Sequence, residues 1–241
     1  MPKLHRRLSL AVASILSCVA LSPLMATANA VENPQSSGEA SNAELDAGVE
    51  AELGQFWDSY NVPSEQRKDL LEKLENGVRW DSFGKNAEPV LSEEQDSAAE
   101  SVTVNRFADG SISVESISKP TGLNEGISTR SVKDCRVVSD NNGTQRQTGC
   151  HAQVNLGVIS MGFYFDKITS PGALGRVTNQ YGEHNHIIGG ALGNHRLQKF
   201  NDQTVRYSAD FDVAFRGFPV GWKAWMQVNL GQGNYAYTTN N

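Results

Sequence analysis

The densest group of side chains able to do chemistry is Tyr181-Gly182-Glu183-His184-Asn185-His186, followed by Gly189-Gly190-Ala191-Leu192-Gly193-Asn194-His195. Imidazole nitrogens and a carboxylate are donors that zinc accepts. On a strand, His184 and His186 would point to the same side, and the glycine-rich turn could bring His195 round to complete a tetrahedron. A metal-dependent hydrolase at Glu183, His184, His186 and His195, with zinc as its cofactor, is therefore one expectation. The segment lacks the i, i+4 histidine pair of a helical metalloprotease, and a solvated loop carrying ordinary histidines is the competing reading.

Other catalytic patterns are missing. The chain holds no Gly-x-Ser-x-Gly elbow, phosphate-cradling glycine loop or dinucleotide fingerprint at the required place. Asp210 and Asp212 share one face of an alternating segment and could act as paired carboxylates, although charged residues on the wet face of a strand are ordinary. Aromatics on polar faces are the second signal. Trp225 shares its face with Lys223, Gln227 and Asn229, and Tyr164 shares its face with Ser160 and Asp166. Exposed rings flanked by amides and an ammonium suit a sugar or a protein partner, so Trp225, Tyr164, Lys223 and Gln227 are the expected ligand-binding residues. Alternatively, Trp225 is covered from within the chain by the N-terminal helices.

The elements that must position these groups fall into two regions. Over 44–60, Leu45, Val49, Leu53, Phe56, Trp57 and Tyr60 recur every three or four residues, the stripe of an amphipathic helix. Pro63 opens a second helix, lined by Leu70, Leu71 and Leu74 and closed by Asn76-Gly77. Residues 44–82 thus read as a helical hairpin, either docked on the following domain or acting as a detachable acidic pro-segment or partner-binding module. Residues 83–101 read as a polar linker.

From Val102 the period changes to two. Val102 to Phe107 and Ser111 to Ile117 flank Ala108-Asp109-Gly110 as a hairpin, and Asp140-Asn141-Asn142-Gly143 turns the chain between two further strands. Ile159, Met161, Phe163 and Phe165 form one core face. Val205, Tyr207, Ala209, Phe211, Val213 and Phe215 form another, and Trp222, Ala224, Met226, Val228 and Leu230 a last one. The expected fold class is α+β, with the helical hairpin followed by an antiparallel β-sandwich over 102–241.

Three stretches carry a family likeness: Phe56-Trp57-x-x-Tyr60-x-Val62-Pro63, Gly77-x-x-Trp80-Asp81-Ser82 after the leucine-lined helix, and Trp222-x-x-Trp225-Met226-Gln227-Val228-Asn229. In these the chain resembles uncharacterised secreted proteins of actinobacteria over most of its mature length. The resemblance implies export and the two-part layout, and it brings no activity with it.

Composition sets the compartment. Residues 1–30 join basic Lys3, Arg6 and Arg7 to an apolar stretch and end in Ala28-Asn29-Ala30, the pattern of a cleavable secretory signal. Serines and Pro23 within the stretch argue against a retained anchor, so no stable membrane anchor is expected after cleavage. Bulky Leu16 argues against a lipoprotein reading of Cys18. Residues 31–43 read as a disordered leader. The segment after residue 30 carries 18 basic and 27 acidic residues, net −9, which disfavours nucleic acid as a partner. The charge is uneven: residues 31–100 are net −12 and residues 101–241 net +3. Only Cys135 and Cys150 remain after cleavage, and in an oxidising compartment they are expected to pair. The sequence thus points to a secreted, non-catalytic protein that binds an extracellular glycan, cell-wall component or protein, with the zinc hydrolase or a secreted antagonist or toxin masked by its acidic N-terminal part as alternatives.

Overall fold

The computed structural model describes residues 47–84, 86–122, 135–211, 223–233 and 236–240. The signal sequence, the leader, Asp212, Val213, Phe215 and Trp222 lie outside the described residues. Helix α1 (Ala47–Ser59) buries Val49, Leu53 and Trp57 at four-residue steps, and α2 (Ser64–Glu75) buries Leu70 and Leu74. Asn61 joins them in a left-handed conformation, φ 54°. Gly77, φ 73°, ends α2, with Val78 N donating to Lys73 O and Gly77 N to Leu74 O, which satisfies two carbonyls of the last turn.

Two sheets follow. The larger comprises β1 (Leu91–Asp96), β2 (Glu100–Arg106), β3 (Ile112–Ser118), β4 (Pro120–Thr121), β5 (Cys135–Asn141), β6 (Thr144–Asn155), β7 (Ile159–Thr169) and β8 (Arg176–Ile187). The smaller comprises β9 (Leu192–Lys199), β10 (Thr204–Phe211), β11 (Lys223–Leu230) and β12 (Ala236–Asn240), in the order β12-β11-β10-β9. All pairings are antiparallel except the short β4–β5 contact. Strand β6 organises the larger sheet. One edge runs along β7, while the other pairs with β5 over Thr144 to Thr148 and with β3 over Ala152 to Asn155. Gly149, φ 72°, lies at the change of partner. The turn between β5 and β6 places Asn142 and Gly143 at φ 52° and 80°, the left-handed pair that a tight hairpin needs. Cys135 on β5 and Cys150 on β6 are disulfide-bonded.

The sheets face each other in a sandwich-like arrangement, β10 against β7 and β8, β11 against β6 and β7, and β12 against β3 and β6. Phe163, Phe165, Ala152 and Val154 from one side meet Val205, Tyr207, Met226 and Val228 from the other in one hydrophobic cluster. Leu53, Trp57, Leu70, Leu74, Trp80 and Phe83 belong to the same cluster. The helices are tied to the larger sheet by Lys73 Nζ on Asp109 (3.0 Å), Ser82 N on Ser111 Oγ (3.0 Å) and Arg106 Nη2 on Tyr60 O (2.9 Å). A Cβ added at Gly157, φ 86°, would lie 3.2 Å from both Phe56 and Trp80, so this turn is where aromatic rings press on backbone.

Two expectations are corrected here. Residues 83–101 are not a plain linker: they carry β1 and the start of β2, so the sheet begins at Leu91. All six β1 residues are exposed, and the strand is held by its ladder to β2 and by Ser92 to Asn105, Glu93 to Arg106 and Asp96 to Lys119. A strand with no buried face leaves no period in its sequence. The second is the competing loop reading of the histidines: His184 and His186 lie on β8, on a strand as the metal reading had them, and Val177 is the only buried residue of that strand.

Candidate functional site

The outer face of the smaller sheet holds most of the expected ligand-binding residues. Along β11 Ala224, Met226, Val228 and Leu230 are buried, which turns Lys223, Trp225, Gln227 and Asn229 outward. On β10 the buried set is Val205, Tyr207 and Ala209, leaving Arg206, Ser208 and Asp210 on that same outer face. Register then aligns Arg196, Ser208 and Trp225 in one row and Gln198, Arg206 and Gln227 in the next. The Arg206 guanidinium lies 4.1 Å from the Trp225 ring centre and 5.1 Å from that of Phe200. It donates from Nε (3.0 Å) and Nη2 (2.8 Å) to Gln227 Oε1, and Gln227 Nε2 donates to Asn229 Oδ1 at 2.7 Å. These bonds fix the guanidinium plane between the two rings, a cation–π ladder of Phe200, Arg206 and Trp225.

The ladder borders a cleft of about 320 Å³, with Asn194, Gln198 and Ser208 among its polar walls. At one end Asp210 accepts from Lys223 (3.2 Å) and Asn194 (3.2 Å), and the Lys223 hydrogen bond holds its carboxyl below the usual carboxylate range. The Arg196 side chain makes no hydrogen bond or ion pair among the described residues. Arg196, Arg206 and Lys223 against Asp210 leave the cleft positive on an acidic chain. The helix contacts given above fall on the larger sheet, and Arg206 lies over the Trp225 ring.

Tyr164 is not part of this face. It lies on β7 of the larger sheet, with ring centres 4.8 Å from His151 and 6.0 Å from Tyr181. His184 reaches across β7 from β8, and its Nε2 is 3.2 Å from His151 Nε2. The crossing is possible because Gly162 intervenes, where an added Cβ would lie 2.5 Å from His184 Nε2. Nearby, Tyr181 and the Gly149 amide both donate to Asp166.

The expected quartet of Glu183, His184, His186 and His195 does not converge. His186 Nε2 pairs with Glu52 of α1, and His184 with His151. His195 Nδ1 meets the hydroxyl of buried Tyr207 at 2.8 Å, and Asn185 donates to the same hydroxyl at 2.9 Å. Asn185 projects from the face of β8 opposite to that of its neighbours His184 and His186, so His195 is on the far side of the strand. Among the described residues no group of three or more His, Cys, Asp or Glu is placed to hold a metal ion. The sequence reading passed over His151, Arg206, Phe200 and Arg196. Arg206 was legible as an outward residue of an alternating strand, but its place beside Trp225 needed the β10–β11 register.

Compared with protein-family models, with curated proteins and with solved structures, the chain matches none. Among the described residues no helix is long and apolar enough to cross a membrane.

Proposed function

We propose that this is a secreted β-sandwich protein that acts by binding, without catalysis, and that the outer face of β9, β10 and β11 is its site for an extracellular or cell-wall glycan. The observation that carries the reading is the Phe200, Arg206, Trp225 ladder beside a polar cleft of about 320 Å³. Sugars present apolar C–H faces and a rim of hydroxyls. Flat rings and a guanidinium plane match the first, and Asn194, Gln198 and Ser208 match the second. Phe200 is 53% exposed, so its ring is offered to solvent rather than used in the core. The paired cysteines agree with an oxidising compartment, and the signal-like N-terminus supplies the route.

The test is titration of the exported protein with soluble oligosaccharides, neutral and uronate-containing, and with peptidoglycan fragments. Trp225→Ala is expected to weaken binding about tenfold or more, the effect of removing an aromatic anchor worth roughly 1.4 kcal/mol. Binding equal in wild type and Trp225→Ala, or binding to none of these probes, would sink the reading.

A further inference from the structure

We propose that His151 and His184 form a binding site for a borderline divalent cation such as Zn²⁺ or Cu²⁺ on the outer face of the larger sheet. This pair differs from the quartet expected around His184, of which only His184 is retained, and it is independent of the glycan reading. Three observations carry it. First, two imidazole nitrogens bound to one tetrahedral ion at about 2.0–2.1 Å lie roughly 3.4 Å apart. His151 Nε2 and His184 Nε2 are 3.2 Å apart, within about 0.2 Å of that separation. The ring planes are 14° apart and the ring centres 5.1 Å apart, well beyond the nitrogen separation, so the near-parallel rings are offset with their Nε2 atoms as the closest approach.

Second, the lone pair of His184 is already aimed. Its Nδ1 is 3.1 Å from Gly182 O, and a carbonyl oxygen only accepts, so Nδ1 carries the proton and Nε2 of the neutral ring accepts from His151 Nε2–H; an ion that binds between the rings replaces that proton, which passes to solvent. Metal-bound histidines are commonly oriented in this way, with the second nitrogen donating to a backbone carbonyl. Third, the approach is built into the backbone: any side chain at position 162 would occupy the path of His184. His151 is buried while His184 is exposed, so an ion can enter from solvent onto a ligand held in place. Two protein ligands leave the remaining positions to water, and imidazole nitrogens favour Zn²⁺, Ni²⁺ or Cu²⁺ over Mg²⁺ or Ca²⁺.

The experiment uses the disulfide-bonded exported chain without a polyhistidine tag, stripped with chelator and titrated with Zn²⁺, with Cu²⁺ electron paramagnetic resonance as a second readout. One ion per chain is expected, with two nitrogen ligands in the copper spectrum. His184→Gln should weaken binding at least tenfold, whereas His186→Gln and His195→Gln should leave it within about twofold. His151 is buried and its variant could fail to fold, so Gly162→Ala serves as the second test: it keeps both imidazoles and should weaken binding at least tenfold by displacing His184. No stoichiometric Zn²⁺, binding that survives both His184→Gln and Gly162→Ala, or binding that follows His186 or His195 would overturn the proposal.

Discussion

Lys167 illustrates how one residue can hold a cost that the rest of the core offsets. It follows Phe163 and Phe165 on the inner face of β7 and is 1% exposed. No hydrogen bond or ion pair of its amine is found among the described residues, and burial pushes that amine down to about 8. In the unfolded chain the amine titrates near 10.4. Below about pH 8 both states are protonated and the fold carries the full cost of a buried charge. Between pH 8 and about 10.4 the unfolded chain holds the proton that the fold has released, so this residue makes stability rise with pH, by roughly 3 kcal/mol in total. Lys167→Met is therefore expected to resist urea better than wild type at pH 7, with the advantage shrinking towards pH 10. A gap between the two midpoints that stays constant over that range would refute the assignment.

At the scale of elements, the β2–β3 turn does more than reverse the chain. Asp109 accepts from Ser111 Oγ (2.6 Å), Ser111 N (3.0 Å), Asp81 N (2.9 Å) and Lys73 Nζ (3.0 Å). One carboxylate thus closes its own turn and clamps the end of α2 and the segment after it onto the larger sheet. Burial raises its pKa, but the hydrogen bonds from Ser111, Asp81 and Lys73 outweigh that and leave it lowered. A lowered carboxylate contributes stability that is present above its unfolded value near pH 3.9 and lost as pH falls through the folded one. Asp109→Ala leaves buried donors without an acceptor and should cost about 2–4 kcal/mol. Amide exchange should quicken first in α1 and α2, and Asp109→Asn should unfold less steeply than wild type on acidification below pH 4. Exchange that rises equally in β10 and β11 would mean that the turn does not specifically hold the helices. The Asp-Gly pair was readable as a hairpin turn. Its hold on the helices was not, because nothing in local spacing shows that Lys73 and Asp81 return to it.

For the molecule as a whole, the Cys135–Cys150 bond joins neighbouring strands β5 and β6 of the larger sheet across a separation of 15 residues. Closing a loop of that length in the unfolded chain is worth roughly 3 kcal/mol, so a Cys135→Ser/Cys150→Ser double variant should lose about 2–4 kcal/mol in denaturant titration. No loss would show that the strands are held entirely by their ladder and core. That pairing followed from sequence alone, since the segment beyond the signal has only two cysteines. The helix stripes, the Asn142-Gly143 turn and the alternations along β7, β10 and β11 were also determined locally. A buried face imposes its period on the residues that fill it, and a left-handed turn demands Asn or Gly. Strands without a buried face, β1 and most of β8, left no such mark. Only the tertiary structure decided which polar and aromatic side chains meet: Arg206 beside Trp225, His151 beside His184, His195 turned away to Tyr207. Those meetings depend on strand register and sheet order. Both are set by how the inner faces pack, and the polar outer faces follow without encoding them.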